Sequence, residues 1–182
     1  MKNSNYSLEE LVIYAQKIEK ALKSNNFKDF LKKKCKETLD AITQTSLNVD
    51  VEEQYIHNYR SSHKVEVDDE YITISNYTMI SPSNINPDIA SNYPNGFDLA
   101  KAVEYGTGIV GAVSDAYSEA IKDGWAYMVN QDRDYSKGWF YEKDGKVYWT
   151  EGMSGKLIFN KAILEIEDKL YDWVDEYLES IE

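Results

Sequence analysis

Apolar residues in this chain recur every three to four positions at both ends and every second position in the middle, and that change of period demands a fold that mixes helices with strands. Leu8, Leu11, Val12, Ala15, Ile18 and Leu22 trace one helical stripe. Ser7 and Glu10 stand before it at the spacing of a capping box. Asn25 and Asn26 read as the break, and a second helix follows with Phe27, Phe30, Leu31, Cys35, Leu39 and Ile42 on one face. Lys32, Lys33 and Lys34 fall mostly off that face and read as a solvated surface. At the other end Leu157, Phe159, Ala162, Ile163, Ile166, Leu170, Trp173, Val174, Tyr177 and Ile181 predict a long closing helix.

Between them the period is two. Val65 and Val67 alternate with charged residues, Asp68 to Glu70 make a polar break, and Tyr71 to Ser75 resume the alternation, which predicts a hairpin. All three prolines fall within residues 81–96, together with Asn and Ser, so this span reads as a long surface loop. The apolar run Phe97 to Tyr105 counts with the strands and ends at Gly106-Thr107-Gly108, and 112–122 read as a short helix or an insertion. Residues 138–150 give the clearest local signal, two aromatic strands joined at Asp144-Gly145, a pair suited to a tight turn. The expected fold is therefore α+β and a single domain over 1–182: a helical part at 1–50, an antiparallel sheet at 51–153, and a C-terminal helix at 154–182 packed on that sheet.

Charge and cysteine usage narrow the function. The net charge of −12 opposes non-specific nucleic-acid binding, which rests on Lys and Arg displacing counterions from phosphates. Residues 1–50 carry a net +2 and residues 51–182 a net −14, an asymmetry able to orient copies head to tail. The lone Cys35 makes neither an internal disulfide nor a thiolate metal site, and it reads as a small core residue. No stretch approaches the ~20 apolar residues that cross a bilayer, so no membrane partner is expected.

A survey for catalytic groups yields none, and neither a cofactor nor a metal is implied. A Ser or Cys nucleophile needs a base beside it, and the only histidines, His57 and His63, lie in what reads as a polar link, as surface or turn residues. They lack the carboxylate spacing of a zinc helix. Asp132 to Gly138 begins like a calcium loop, but Lys137 replaces its required glycine and Lys143 its closing glutamate. Gly106-x-Gly108-x-x-Gly111 matches a dinucleotide fingerprint only in its glycines, without a following βα unit.

The run Ala102-Val-Glu-Tyr-Gly-Thr-Gly108, then Gly124-Trp-Ala-Tyr, Gly138-Trp-Phe-Tyr and Trp149-Thr-Glu-Gly-Met153, with a helix opening near Phe159, resembles the minor structural proteins of long-tailed bacteriophages and prophages. These are the neck, head-tail joining or tail-completion proteins. The resemblance covers about residues 60–180 and rests on the order and spacing of several short pieces. It implies a non-enzymatic virion subunit, made in the bacterial cytoplasm, that forms a ring, commonly sixfold, between connector and tail tube. It also implies that Glu104, Tyr105, Gly106, Thr107 and Gly108 form a turn important for structure and assembly. The aromatic Trp139, Tyr141, Tyr148 and Trp149 are further candidates for a subunit interface, where such side chains are enriched. The chain departs from the family pattern at Ser154 to Phe159, where relatives often carry a proline, and at Ala112 to Lys122, where many have a short loop.

Three rival readings stand beside it. The hairpin at 138–150 resembles one unit of the aromatic repeats that bind cell-wall choline or glycans, although a solenoid of them needs roughly three stacked units. A carboxylate enzyme would require two acids with shifted pKa values in a deep pocket. An acidic antitoxin or immunity-type protein would be a stable monomer with a tight basic partner.

Overall fold

A computed structural model describes residues 8–47, 53–81, 83, 94–124, 139–143 and 146–181. Helix α1 (Leu8–Leu22) leads into α2 (Asn25–Leu47) and the short α3 (Glu53–Ser61). Strands β1 (His63–Val67) and β2 (Ile72–Asn76) form the expected hairpin, with Val65 opposite Ile74. Then come β3 (Met79–Ile80), β4 (Phe97–Asp98), α4 (Leu99–Tyr105), β5 (Gly106–Thr107), α5 (Gly108–Ala112) and α6 (Tyr117–Lys122). The aromatic pair β6 (Trp139–Lys143) and β7 (Lys146–Thr150) precedes β8 (Gly152–Ser154) and the closing helix α7 (Ile158–Ser180). The chain is thus an α+β protein with small antiparallel sheets and a long C-terminal helix.

The core is organised by two long helices. In α2, Phe27, Leu31, Cys35, Leu39, Thr43 and Leu47 are all buried, a row spaced four apart that covers one face of the helix from end to end. Against it α7 presents Ile158, Ala162, Ile166, Trp173 and Tyr177. At ~1.5 Å per residue each helix spans about 34 Å. They run in opposite directions: the Tyr177 ring sits 4.9 Å from Phe27 and 5.4 Å from Phe30, and its hydroxyl is 3.2 Å from Ser24 Oγ. Cys35 is fully buried, as read from the sequence, and burial pushes its thiol up to about 11. Buried Thr43 returns its hydroxyl to the Leu39 carbonyl at 2.7 Å, so its polar atom costs the core little.

Several expectations are corrected. The break after α1 falls at Lys23-Ser24, not at the two asparagines; Ser24 Oγ accepts from the Phe27 amide at 3.2 Å and starts α2, leaving Asn25 and Asn26 in its first turn. The link at 51–62 contains α3, anchored by Tyr59, which is 1% exposed. The run 97–105 is strand only at its first two residues. Asp98 accepts from the Lys101 amide at 2.9 Å, and this cap turns the rest into α4. Among the described residues the strands make four separate two-stranded ribbons, not one sheet, so α7 packs chiefly on α2. Ser7, most of the 81–96 loop, the 132–138 stretch, the Asp144-Gly145 turn and the side chains of Trp139, Tyr141 and Tyr148 lie outside the described residues.

The histidines also separate. His57 is exposed on α3, but His63 is buried beneath Tyr59 and Phe159, contrary to the surface reading, with Nδ1 3.2 Å from Asp40 Oδ1. Burial holds the imidazole below its ordinary pKa of 6.5 despite Asp40. Burial also acts to raise Asp40, but Lys36, 2.6 Å away, and His63 outweigh it and keep the carboxylate low. Because unfolded His63 takes a proton that the folded protein resists, stability falls as pH drops below about 6.5 and levels off below the folded pKa. In urea titrations between about pH 7 and pH 5, His63→Gln flattens this dependence; a slope equal to that of the unmutated protein contradicts the assignment.

Candidate functional site

The Glu104 to Gly108 turn and the segment leading into α7 are one physical unit. Helix α7 lacks a capping side chain of its own: the residue at its N-cap is Leu157, in the left-handed region at φ 49° and ψ 45°. Four amides at a helix start need acceptors, and when buried they cannot borrow them from water. Glu104 supplies one for the first three. Its carboxylate accepts from the Phe159 amide at 3.1 and 3.2 Å and from Asn160 at 3.4 Å, while the residue is 5% exposed. Burial pushes the carboxyl above its ordinary range, against the pull of the Phe159, Asn160 and Ile158 amides. The negative group also lies at the positive end of the helix dipole.

The main chain completes the joint from the other side. The last carbonyls of α4 need donors, and the chain entering α7 provides them: Lys156 N–H donates to Val103 O at 2.9 Å and Leu157 N–H to Glu104 O at 3.0 Å. Gly106 N–H donates to Ala102 O. The end of one helix is thereby tied to the start of another about 55 residues later, by main chain and side chain together. These two bonds around Leu157 hold it in a conformation that costs a branched residue about 1–2 kcal/mol.

Glycine lets the strands of the joint approach. Gly106 pairs with Ser154 and Thr107 with Met153, a bridge continues from Gly108 to Gly152, and Met153 N–H donates to Thr107 Oγ1 at 3.2 Å. Gly106 has φ +86° and Gly152 φ +103°. A Cβ at Gly106 would overlap the Met153 carbonyl, and one at Gly152 the Thr107 carbonyl. Both positions therefore require glycine twice over, by dihedral and by space.

Tyr105 faces the other way. With Lys101, one helical turn earlier, it meets Asp123 at the end of α6; the Lys101 ammonium is 2.8 Å from the Asp123 carboxylate. Burial and the Asp123 charge push the Tyr105 phenol up. The turn thus holds three elements: Glu104 holds α7, Gly106 to Gly108 hold β8, and Tyr105 holds α6.

The structure brings together Glu104 to Gly108 but sets the aromatic residues apart from them on a separate ribbon. There Trp139 pairs with Thr150, Phe140 with Trp149 and Tyr141 with Tyr148. Trp149 is 47% exposed and Val147 68%. The sequence reading missed that Glu104 caps α7. One signal was present: the long helix begins after Gly155-Lys156-Leu157, without Ser, Thr, Asp or Asn at its start, so its acceptor has to come from elsewhere in the chain. Among the described buried groups, His63 Nδ1 is committed to Asp40 and Glu104 to the α7 amides, whereas the Tyr59 hydroxyl and His63 Nε2 have no hydrogen-bond partner.

Glu104→Ala leaves the part-buried amides of the first turn without an acceptor and lowers unfolding free energy by about 2 kcal/mol, whereas Glu104→Gln keeps one acceptor and loses less. Gly152→Ala, with a steric clash added to strain, costs about 3 kcal/mol or more. Urea denaturation followed by circular dichroism checks both; values within about 0.5 kcal/mol of the unmutated protein contradict the joint.

Compared with known proteins, the chain matches no protein-family model, no curated protein and no solved structure.

Proposed function

We propose that the chain is a non-enzymatic structural subunit of a bacteriophage or prophage particle, a head-tail joining or tail-completion protein that forms a ring in the neck. The supporting observation is that separate pieces of the resemblance, Glu104 to Gly108 and Glu151 to Met153, join through β5 and β8 directly before α7. Pieces that recur in order and spacing are expected to do so when they form one load-transmitting joint, and this joint fixes where the long C-terminal helix starts.

Charge fits passage of DNA. Asp172 and Asp175 lie exposed on α7, where they repel phosphates and favour a lumen through which a duplex slides without sticking. Glu176, on the same helix, is tied to Lys34 of α2 at 2.7 Å. Its neighbours therefore carry that repulsion. Particles purified after induction and probed by mass spectrometry and gold-labelled antibody should carry the protein at the neck. Its absence from purified particles contradicts the reading, and glycan or choline binding by calorimetry, lost in Trp149→Ala, would favour the cell-wall-binding alternative instead.

A further inference from the structure

Two buried side-chain atoms among the described residues, the Tyr59 hydroxyl and His63 Nε2, have no hydrogen-bond partner, and they belong to side chains that touch. The two rings meet edge to face at 4.9 Å, and Phe159 of α7 meets His63 at 6.1 Å, also edge-on. The His63 side chain is 0% exposed and Tyr59 is 1% exposed. A polar atom buried without a partner gives up its hydration and gains nothing in return. Closing this seat therefore works against two polar atoms, and opening it returns both to water.

The seat also fixes which nitrogen takes a proton. Lys36 stands 2.6 Å from Asp40 and keeps its carboxylate ionised, so Asp40 only accepts, and His63 Nδ1, 3.2 Å away, carries the hydrogen. Nε2 is then the bare, basic nitrogen. A proton there creates a cation whose new N–H has no acceptor among the described residues. Of the charged groups facing the ring, Asp40 on α2 favours that cation, whereas Lys36 on α2 and Arg60 on α3 oppose it. Asn76, opposite His63 on β2, and Phe159 on α7 are neutral. Burial outweighs Asp40 and holds the imidazole below its ordinary 6.5. On α4, Glu104 acts on Tyr59 and on the Phe159 amide, but burial raises its carboxyl, so through that group acid favours the closed form.

Helix α3 can leave the seat without parting the elements around it. Strand β1 is paired along β2 and sends Val65 into the core, and α7 packs on α2 with its first turn held by Glu104. Helix α3 has nine residues, too few to persist alone. Beyond the Tyr59 ring, the Asn76 side chain donates to the Tyr59 carbonyl at 2.7 Å, and Arg60 makes an exposed bond to Gln44 at 2.6 Å. We infer that the Tyr59–His63 seat is an acid-sensitive latch: a proton on His63 Nε2 releases α3, while the α2–α7 pair, the β1–β2 hairpin and the Glu104 cap stay in place. The open form gives the imidazolium and the Tyr59 hydroxyl to water. The latch goes beyond the particle assignment and does not depend on it.

Amide hydrogen exchange on the full chain between about pH 7.5 and about pH 5, corrected for the intrinsic pH dependence of exchange, reads the release directly. Below about pH 6.5 the open-to-closed ratio should rise by up to about tenfold per pH unit, because the open form binds the proton that the closed form resists. The amides from Tyr59 to Ser62 should lose protection by that factor, while amides in the middle of α2 and α7 keep theirs. His63→Gln should abolish the loss, and His57→Gln, at the exposed histidine of α3, should leave it intact. If His63→Gln does not fold, NMR titration of the His63 imidazole in the unmutated protein decides. Its midpoint should lie below 6.5 and coincide with the loss of α3 protection. Protection in α3 that stays constant, falls in step with α2 and α7, still falls in His63→Gln or depends on His57 overturns the latch. So does an imidazole midpoint at about 6.5 with α3 still protected.

Discussion

A buried carboxylate beneath the start of the long C-terminal helix is the interaction on which the rest of this structure depends. The first amides of a helix need acceptors, and α7 has no capping side chain at its own N-cap. Glu104 meets that need from a distant part of the chain, and burying its charge is tolerable only because the amides receive it. The two requirements are reciprocal. Removing the amides would leave a buried carboxylate unpaired, and removing the carboxylate leaves part-buried amides without their acceptor.

From this contact the remaining architecture follows. Fixing the start of α7 sets the register of Ile158, Ala162, Ile166, Trp173 and Tyr177 against the four-residue row of α2. The glycines at 106 and 152 permit the close strand pairing that delivers the chain to that start, and Tyr105 carries the constraint on to Asp123 and α6. The hairpin of β1 and β2 is tied to α2 through Asp40 and His63.

Much of this was legible from residue spacing. The helices α1, α2 and α7 and both hairpins follow from periods of three to four and of two, because one face of each had to be apolar. The α4 segment was not, since a short apolar run is equally compatible with a buried strand until the Asp98 cap decides it. His63 reads as polar in sequence and is buried in the fold, because its partner Asp40 is 23 residues away on another helix. The importance of Glu104 to Gly108 was visible as a pattern. The reason for it was not, because a side chain capping a helix from 55 residues away leaves no local trace except the missing cap at Leu157.

The most direct measurement of the central claim is amide hydrogen exchange at Phe159, Asn160 and Met153, resolved by residue. First-turn amides of an ordinary helix fray and exchange quickly through local opening. If the Glu104 carboxylate and the β5–β8 pairing anchor the start of α7, these amides exchange only with global unfolding, and the protection at Phe159 and Asn160 disappears in Glu104→Ala while the middle of α7 keeps its own. Rapid exchange at Phe159 and Asn160 in the unmutated protein, at rates matching the frayed end near Ile181, would contradict the account.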